Sequence, residues 1–281
     1  MTEEEIIRPE NLVYKKPTLL NDTPMHYCPG CSHGVVHKLV AEVIEEMGME
    51  NKTVAISPVG CAVFAYNYID VDWVEAAHGR APAVASAIKR LWPDRLVFTY
   101  QGDGDLACIG TAESIHALNR GEHIAIIFIN NAIYGMTGGQ ASPTTPVGAK
   151  ATTAPYGSVD RTFDACKLAE AAGATYVARS TAFHVQHMTN MIADGLDNKG
   201  FSFIEAMVQC PTAFGRKNRM GSPADMLKWM RDHAVMKAAW DKLPEEKRED
   251  KFPIGCLYSS QAIDYDAAYD QVIERAGGAD K

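Results

Sequence analysis

No apolar run in the 281-residue sequence approaches the ~20 residues that a membrane-spanning helix needs, so no membrane role is expected. Positive charge is in deficit: the formal net charge is −8, which argues against a chain that coats nucleic acid. The first residues, Met1-Thr2-Glu3-Glu4-Glu5, are acidic where a secretory leader would be basic and then apolar. The expected location is therefore the cytoplasm. There is no internal repeat and no low-complexity segment. Cysteine, by contrast, is present at seven positions. A cytoplasmic chain keeps its thiols reduced, so metal or redox chemistry is the better expectation for those that cluster. With 47% apolar residues the chain can bury a sizeable core, as one large domain with appendages.

Residues 1–25 are polar and broken by proline, and read as an arm that packs on something else. Residues 26–215 read as one α/β domain and residues 216–281 as a helical extension. Val35, Val36, Leu39, Val40, Val43, Ile44 and Met47 recur at helical spacing and predict a helix with one buried face. Short apolar runs at 53–56, 96–100, 124–129, 175–178 and 201–208 read as buried strands, with another strand at 73–77. Helices are expected over 81–91, 110–118, 163–172 and 183–196, the first stopping before Trp92-Pro93. The alternation predicts an α/β fold, a parallel sheet with helices on both faces. Residues 135–160, rich in Gly, Ser, Thr and Pro, make a loop long enough to expect function from it. Beyond Cys210 strand character fades: 223–240 reads as a helix, 245–251 as a solvated charge run, and the rest as a surface-wrapping tail.

Ligands of open α/β sheets bind outside the carboxyl ends of the strands. Four polar or glycine-rich turns fall at such ends: Gly60-Cys61, His78-Gly79-Arg80, Gly102-Asp103-Gly104-Asp105 and Asn130-Asn131. A carboxylate between two glycines just past a strand suits a metal and a phosphate, because glycine lets phosphate oxygens approach the backbone. An Asn at the end of the next strand offers a second hard oxygen. The 28 residues from Asp103 to Asn131 accommodate strand end, helix and return strand of one right-handed βαβ unit. Taken singly, Gly-Asp-Gly is an ordinary turn with Asp as a helix cap. The pair at this spacing resembles the thiamine diphosphate and magnesium motif of thiamine-dependent enzymes. That resemblance implies a magnesium ion held by Asp103, Asn131 and the Ile133 carbonyl, with diphosphate and water completing the octahedron. His78-Gly79-Arg80 puts an imidazole and a cation where a diphosphate would sit, though alone it reads as a capping turn. Asp105 is expected to orient the turn or a bound water, and Glu113 to be a solvated or capping charge.

Cys28-Pro29-Gly30-Cys31 by itself fits a redox pair, a zinc half-site or an iron–sulfur half-site. Cys61 and Cys210 stand at strand ends, so the four thiols could meet on one side of the sheet. All-thiolate ligation beside a cofactor that loses electrons favours a 4Fe-4S cluster over zinc. Cys108, Cys166 and Cys256 read as small buried hydrophobes. His26, beside the cysteines, is of mild interest, while His116, His123, His184, His187 and His233 read as structural.

In order along the chain, Cys28-Pro29-Gly30-Cys31, Gly60-Cys61, His78-Gly79-Arg80-Ala81-Pro82, Gly102-Asp103-Gly104-Asp105, Asn130-Asn131, Tyr134-Gly135-Met136-Thr137-Gly138-Gly139-Gln140 with Ser142-Pro143, and Gln209-Cys210-Pro211-Thr212 resemble the β subunit of 2-oxoacid:ferredoxin oxidoreductases. The likeness covers residues 25–216. It implies the thiamine diphosphate-binding fold of the diphosphate-binding type. Gly60, Cys61, His78, Gly79, Arg80, Gly102, Asp103, Gly104, Asp105, Asn131, Ile133, Tyr134, Gly135, Met136 and Thr137 would lie at the cofactor. Cys28, Cys31, Cys61 and Cys210 would hold a 4Fe-4S cluster. His78, Arg80, Met136 and Thr137 would face the reaction. The implied chemistry is oxidative decarboxylation of a 2-oxoacid to acyl-CoA and carbon dioxide, with coenzyme A as co-substrate and electrons passing singly through the cluster to ferredoxin.

No stretch resembles the domain carrying the glutamate that activates the aminopyrimidine ring. The family places it on a partner α subunit, with γ and ferredoxin-like δ subunits as further partners, so the chain alone should be inactive. Ala62-Val63-Phe64 stands where many relatives have small residues and a lysine, which makes the pocket more apolar. Together with Met136, and with the branched-chain look of residues 59–66, this favours a branched 2-oxoacid such as 3-methyl-2-oxobutanoate. 2-Oxoglutarate-type relatives share the Tyr134 to Gln140 run, so 2-oxoglutarate and pyruvate are alternatives. Two other readings stand beside these: a non-redox thiamine diphosphate decarboxylase or synthase, and a structural zinc-binding subunit.

Overall fold

The computed structural model describes residue 8 and residues 11–277. The expected N-terminal arm thus lies partly outside the described residues. Eight strands form one sheet in the order β2-β1-β3-β4-β6-β5-β8-β7. They are β1 (Thr53–Ser57), β2 (Asp72–Glu75), β3 (Leu96–Gly102), β4 (Ala125–Asn130), β5 (Tyr176–Thr181), β6 (Ser202–Met207), β7 (Ala234–Met236) and β8 (Phe252–Ser259). All neighbours are parallel except β5 with β8. A sheet covered on both faces needs apolar side chains on both, which is why its central strands read as continuous apolar runs.

On one face Ala55, Phe98, Tyr100, Ile127, Ile129 and Ile204 pack under α1 (His33–Glu46). That helix contributes Val36, Leu39, Val40, Val43 and Ile44 to this core, its whole predicted stripe save Val35 and Met47, which are partly buried against it. On the other face Ile56, Val97, Ile126, Phe128, Val177 and Phe203 meet α2 (Ala81–Leu91), α3 (Thr111–Arg120) and α4 (Ala165–Ala172). Helix α5 (Val185–Asp197) returns to the first face through Met188 and Ile192. This is the expected α/β architecture. From β1 the chain pairs β2 on one side and later β3 on the other, so the crevice between the ends of β1 and β3 is the topological switch point where such sheets bind ligands.

The C-terminal expectation needs correction. Residues 223–240 are not one helix: α6 (Pro223–His233) ends, β7 follows, and α7 (Lys237–Trp240) is a single turn. The tail returns β8 to the sheet, antiparallel to β5 with a register shift at Val177/Ala178, and ends in α8 (Tyr265–Arg275). Pro253 and Gly255 inside β8 hide its strand pattern, because both residues weaken the local propensity while cross-strand pairing with β5 supplies the missing stability. Among the described residues no helix is long and apolar enough to cross a membrane.

Candidate active site

At the carboxyl ends of β1, β3 and β4 lies a cleft of about 60 Å³. It is lined by His33, Val59, Gly60, Cys61, Ala62, His78, residues 102–105, Asn131 and residues 133–137. Most residues expected at the cofactor thus converge, although Gly79 and Arg80 do not line it. The volume is far below the roughly 300–1,000 Å³ of complete small-molecule sites.

Asp103 is buried, and its Oδ2 accepts hydrogen bonds from Ser142 Oγ and from Thr144 Oγ1 at 2.8 Å. Burial pushes its carboxyl up to about 6, with those two hydroxyls acting the other way. A buried carboxylate in this condition gains from a cation beside it. Across the cleft, the turn after β4 is built by its two amides: Asn130 Oδ1 accepts from Ala132 N at 3.1 Å and Asn131 Oδ1 from Ile133 N at 3.2 Å. Ala132 is held at φ 62°, the left-handed region that a side chain enters at a cost. Asp103, Asn131 and Ile133 line the same cleft, and a carboxylate, an amide oxygen and a backbone carbonyl are the hard donors that could hold magnesium. Gly102 supplies the cradle: a Cβ built there meets nothing within 4 Å, so the space beside it belongs to the cleft. These residues fit the diphosphate end of the expected cofactor.

Asp105 opens a wide single turn, Asp105–Ile109, of the π type found at functional sites. Its Oδ1 accepts from Gly79 N at 2.6 Å and pairs with His78 Nδ1, while its Oδ2 accepts from Gln101 Nε2 at 2.7 Å. Asp105 thus orients the His78-Gly79 turn. Gly79, at φ +78°, packs against the backbone of Gly110, whose nitrogen would lie 2.7 Å from a Cβ. Arg80 departs from expectation, while Glu113 stands in the first turn of α3. Arg80 Nη1 pairs with Glu113 Oε1. The reason is position: Arg80 caps α2 and faces the first turn of α3, so its cation is spent on a neighbouring helix.

The loop after the Asn turn closes on itself, with Tyr134 N donating to Gln140 O at 3.0 Å and Gly139 N to Tyr134 O at 2.9 Å. Thr137 Oγ1 donates to Gln140 Oε1 at 2.7 Å. Tyr134 Oη donates to Gly104 O at 2.7 Å, and a Cβ at Gly104 would fall inside the Tyr134 ring. Met136 is 45% exposed at the rim. Phe64 is not among the residues lining the cleft and packs against His26, with ring centroids 4.3 Å apart.

Two of the four thiols flank Gly135 of that loop. A Cβ on Gly135 would stand 3.5 Å from Cys61 Sγ and 3.6 Å from Cys210 Sγ. Thr212 Oγ1 bridges toward Cys28 Sγ at 3.5 Å and Cys210 Sγ at 3.9 Å. Burial pushes the Cys31 thiol up to about 11 and the Cys61 thiol to about 12, with the neighbouring thiols adding to both shifts. Four thiolates so placed repel one another, and a positively charged iron–sulfur core would offset that repulsion; the donor set fits one. Among the described residues no three His, Cys, Asp or Glu side chains converge on the point a single bare ion would occupy. Of the other thiols, Cys166 is buried, as read, but Cys108 and Cys256 are exposed.

Several residues here escape sequence reasoning. His33 lines the cleft with Nδ1 2.9 Å from Tyr100 Oη, and the Tyr27 ring stacks on it at 4.6 Å. Burial holds its pKa down to about 3, so the imidazole is neutral. Gln209 ties the cysteine turn to the end of β6: its Nε2 donates to Gly30 O at 2.9 Å and its Oε1 accepts from Ser32 Oγ at 2.8 Å. The signal for His33 was its position two residues after Cys31.

A model of the thiamine pyrophosphate enzyme C-terminal TPP-binding domain matches residues 58–206. The 2-oxoglutarate synthase subunit KorB of Methanocaldococcus jannaschii is 42% identical over 253 residues, 90% of this chain and 94% of that protein. The ketoisovalerate oxidoreductase subunit VorA of Methanothermobacter thermautotrophicus is 43% identical over 226 residues, 75% of this chain and 47% of that protein. The fold superposes with a TM-score of 0.83 on a 2-oxoglutarate:ferredoxin oxidoreductase from Magnetococcus marinus with 2-oxoglutarate, coenzyme A and succinyl-CoA bound. That match is 28% identical and covers 94% of this chain and 91% of the other.

Proposed function

Because the chain belongs to the family of 2-oxoacid:ferredoxin oxidoreductase β subunits, with a thiamine diphosphate-binding domain at its centre, we propose that it carries the diphosphate half of the active site together with a 4Fe-4S cluster. In this reading Asp103, Asn131 and the Ile133 carbonyl hold Mg²⁺, and Cys28, Cys31, Cys61 and Cys210 hold the cluster. The cytoplasmic enzyme converts a 2-oxoacid and coenzyme A to acyl-CoA and carbon dioxide. The bound thiamine supplies the carbanion chemistry and the cluster supplies one-electron transfer to ferredoxin.

One observation carries the reading. Cys61, Tyr134, Gly135 and Met136 all line the cleft, and Gly135 also rests against the thiols of Cys61 and Cys210. The cofactor cleft and the thiols thus share a wall at Cys61 and Gly135, and the lack of a side chain on Gly135 keeps the two close. The chain's own residues do the positioning. Ser142 and Thr144 fix the Asp103 carboxylate, Asp105 fixes His78, and Tyr134 closes its loop onto Gly104. Neutral His33, anchored on Tyr100, puts a polar nitrogen at the cleft wall next to Cys61 without adding charge. The small cleft supports completion by an α subunit bearing the activating glutamate, with γ and ferredoxin-like δ chains extending the assembly.

The cleft wall supports a branched substrate. Val59, Ala62, Ile133 and Met136 line it, and no Lys or Arg does among the described residues. A second carboxylate, as in 2-oxoglutarate, would find no Lys or Arg among the described residues that line this cleft. The likeness to KorB along nearly the whole chain favours 2-oxoglutarate as the second candidate. The co-purified complex tests both levels. Magnesium-dependent thiamine diphosphate binding should vanish in Asp103→Ala, and unchanged binding would refute the metal site. A panel of 2-oxoacids, read by coenzyme A-dependent dye reduction, should rank 3-methyl-2-oxobutanoate first; preference for 2-oxoglutarate would overturn the branched-chain assignment.

A further inference from the structure

A network of buried and part-buried hydrogen bonds runs from β5 and β6 toward Asp103, and none of its far members touches the cofactor cleft. Glu205, on β6, is 2% exposed. Its Oε2 accepts from Arg179 Nε and from Cys166 Sγ at 3.1 Å, and its Oε1 accepts from Asn130 Nδ2 at 2.7 Å. Arg179 is anchored in turn by Asp164, at 3.0 Å. Thr144 Oγ1 then lies 2.9 Å from Asn130 Oδ1 and 2.8 Å from Asp103 Oδ2 and shares its one proton between these two acceptors. The network lines a second cavity of about 560 Å³, which meets the cleft across the 130–133 turn.

Resting on the reading of the cleft given above, we propose that Glu205 is a positioning residue for the cofactor and metal turn. A buried carboxylate needs donors, and an amide offers both a donor and an acceptor end. With Glu205 held by Arg179, Asn130 has one satisfying orientation: NH₂ toward Glu205, carbonyl oxygen toward Ala132 N and Thr144. That orientation holds Ala132 in its strained conformation and so aims Asn131 and the Ile133 carbonyl, while Thr144 carries the constraint to Asp103. Asn130 and Asn131 therefore divide the work. Asn131 faces the cleft, and Asn130 is the hinge pin turned toward Glu205.

The test uses the co-purified complex stripped of thiamine diphosphate and titrated calorimetrically with that cofactor at fixed Mg²⁺. In Glu205→Gln the introduced amide faces Arg179, Cys166 and Asn130 with only one acceptor, so the Asn130 anchor is lost. Its apparent Kd should rise about tenfold or more, the scale of a hydrogen bond to a charged partner, while kcat at saturating cofactor stays within about twofold. Asn130→Asp alone sets two carboxylates face to face and should also weaken binding. The double variant Asn130→Asp/Glu205→Gln reverses the donor and acceptor ends of the same bond and should restore most of the affinity. A wild-type Kd in Glu205→Gln, with only a lowered Tm, overturns the inference. So does a double variant that binds no better than the singles, and this comparison serves even where Glu205→Gln alone fails to fold. Failure of the wild-type complex to bind thiamine diphosphate would remove the underlying reading itself, and the inference with it.

Discussion

Gly102→Ala separates what the fold requires from what a ligand requires. Gly102 ends β3 in register with Ile129, at an ordinary φ, and a Cβ there meets no protein atom within 4 Å. Nothing in the folded chain needs glycine at this position. Alanine should leave the cofactor-free stability unchanged, or raise it by about 0.4–1 kcal/mol through a less flexible unfolded state. The methyl group would, however, project into the cleft where the diphosphate is proposed to lie against the backbone. Forcing one extra methyl into a filled site costs about 1–3 kcal/mol, which corresponds to roughly a 5- to 150-fold loss of affinity. Gly104→Ala and Gly79→Ala are the contrasting cases. The first drives a Cβ into the Tyr134 ring, and the second puts one 2.7 Å from Gly110 N at φ +78°, so both should lose stability as well as binding. Denaturation of the cofactor-free complex and calorimetric titration with thiamine diphosphate give the two readouts. Wild-type affinity in Gly102→Ala, or a stability loss as large as that of Gly104→Ala, would refute the reasoning.

Other outcomes follow from the same geometry. Cys210→Ser should lower iron content and electron transfer, whereas Cys108→Ser, exposed and outside the thiol nest, should not; equal effects would refute the choice of ligands. His33, with its folded pKa lowered to about 3, contributes stability that is present above the unfolded value of 6.5 and is lost as pH falls toward about 3. Asp103, raised to about 6, works in the opposite direction over part of that range, so the comparison must be between the wild type and His33→Gln. Between pH 7 and pH 5 the stability of the cofactor-free wild type should fall by about 2 kcal/mol more than that of His33→Gln, and parallel pH profiles would contradict this.

The parts of the molecule legible in its sequence are those written locally. Residues 96–105 and 124–131 carry strand, turn and functional side chain in one stretch, so both the sheet and the metal-binding candidates could be read from apolar runs and glycine placement. The stripe from Val36 to Ile44 fixed α1 in the same way. What escaped depends on partners far along the chain. Arg80 looked free for a phosphate because Glu113 lies 33 residues on, and only the docking of α2 beside α3 brings them together. Gln209 meets Ser32 across 177 residues. Glu205 sits within an apolar strand and finds Asn130 and Arg179 only when β6 inserts between β4 and β5. Strand β8 was hidden for a related reason: its Pro and Gly argue locally against a strand, and pairing with β5 overrides them.

The central claim is that the cofactor cleft and the thiol nest form one electron-transfer unit joined at Gly135. Its most direct test is the visible absorbance of the anaerobic, thiamine-loaded complex on addition of the preferred 2-oxoacid. Bleaching of the iron–sulfur band that needs both Asp103 and Cys210 is the predicted result. A complex that turns over its oxoacid with no iron present, or with the band unchanged in wild type, would contradict it.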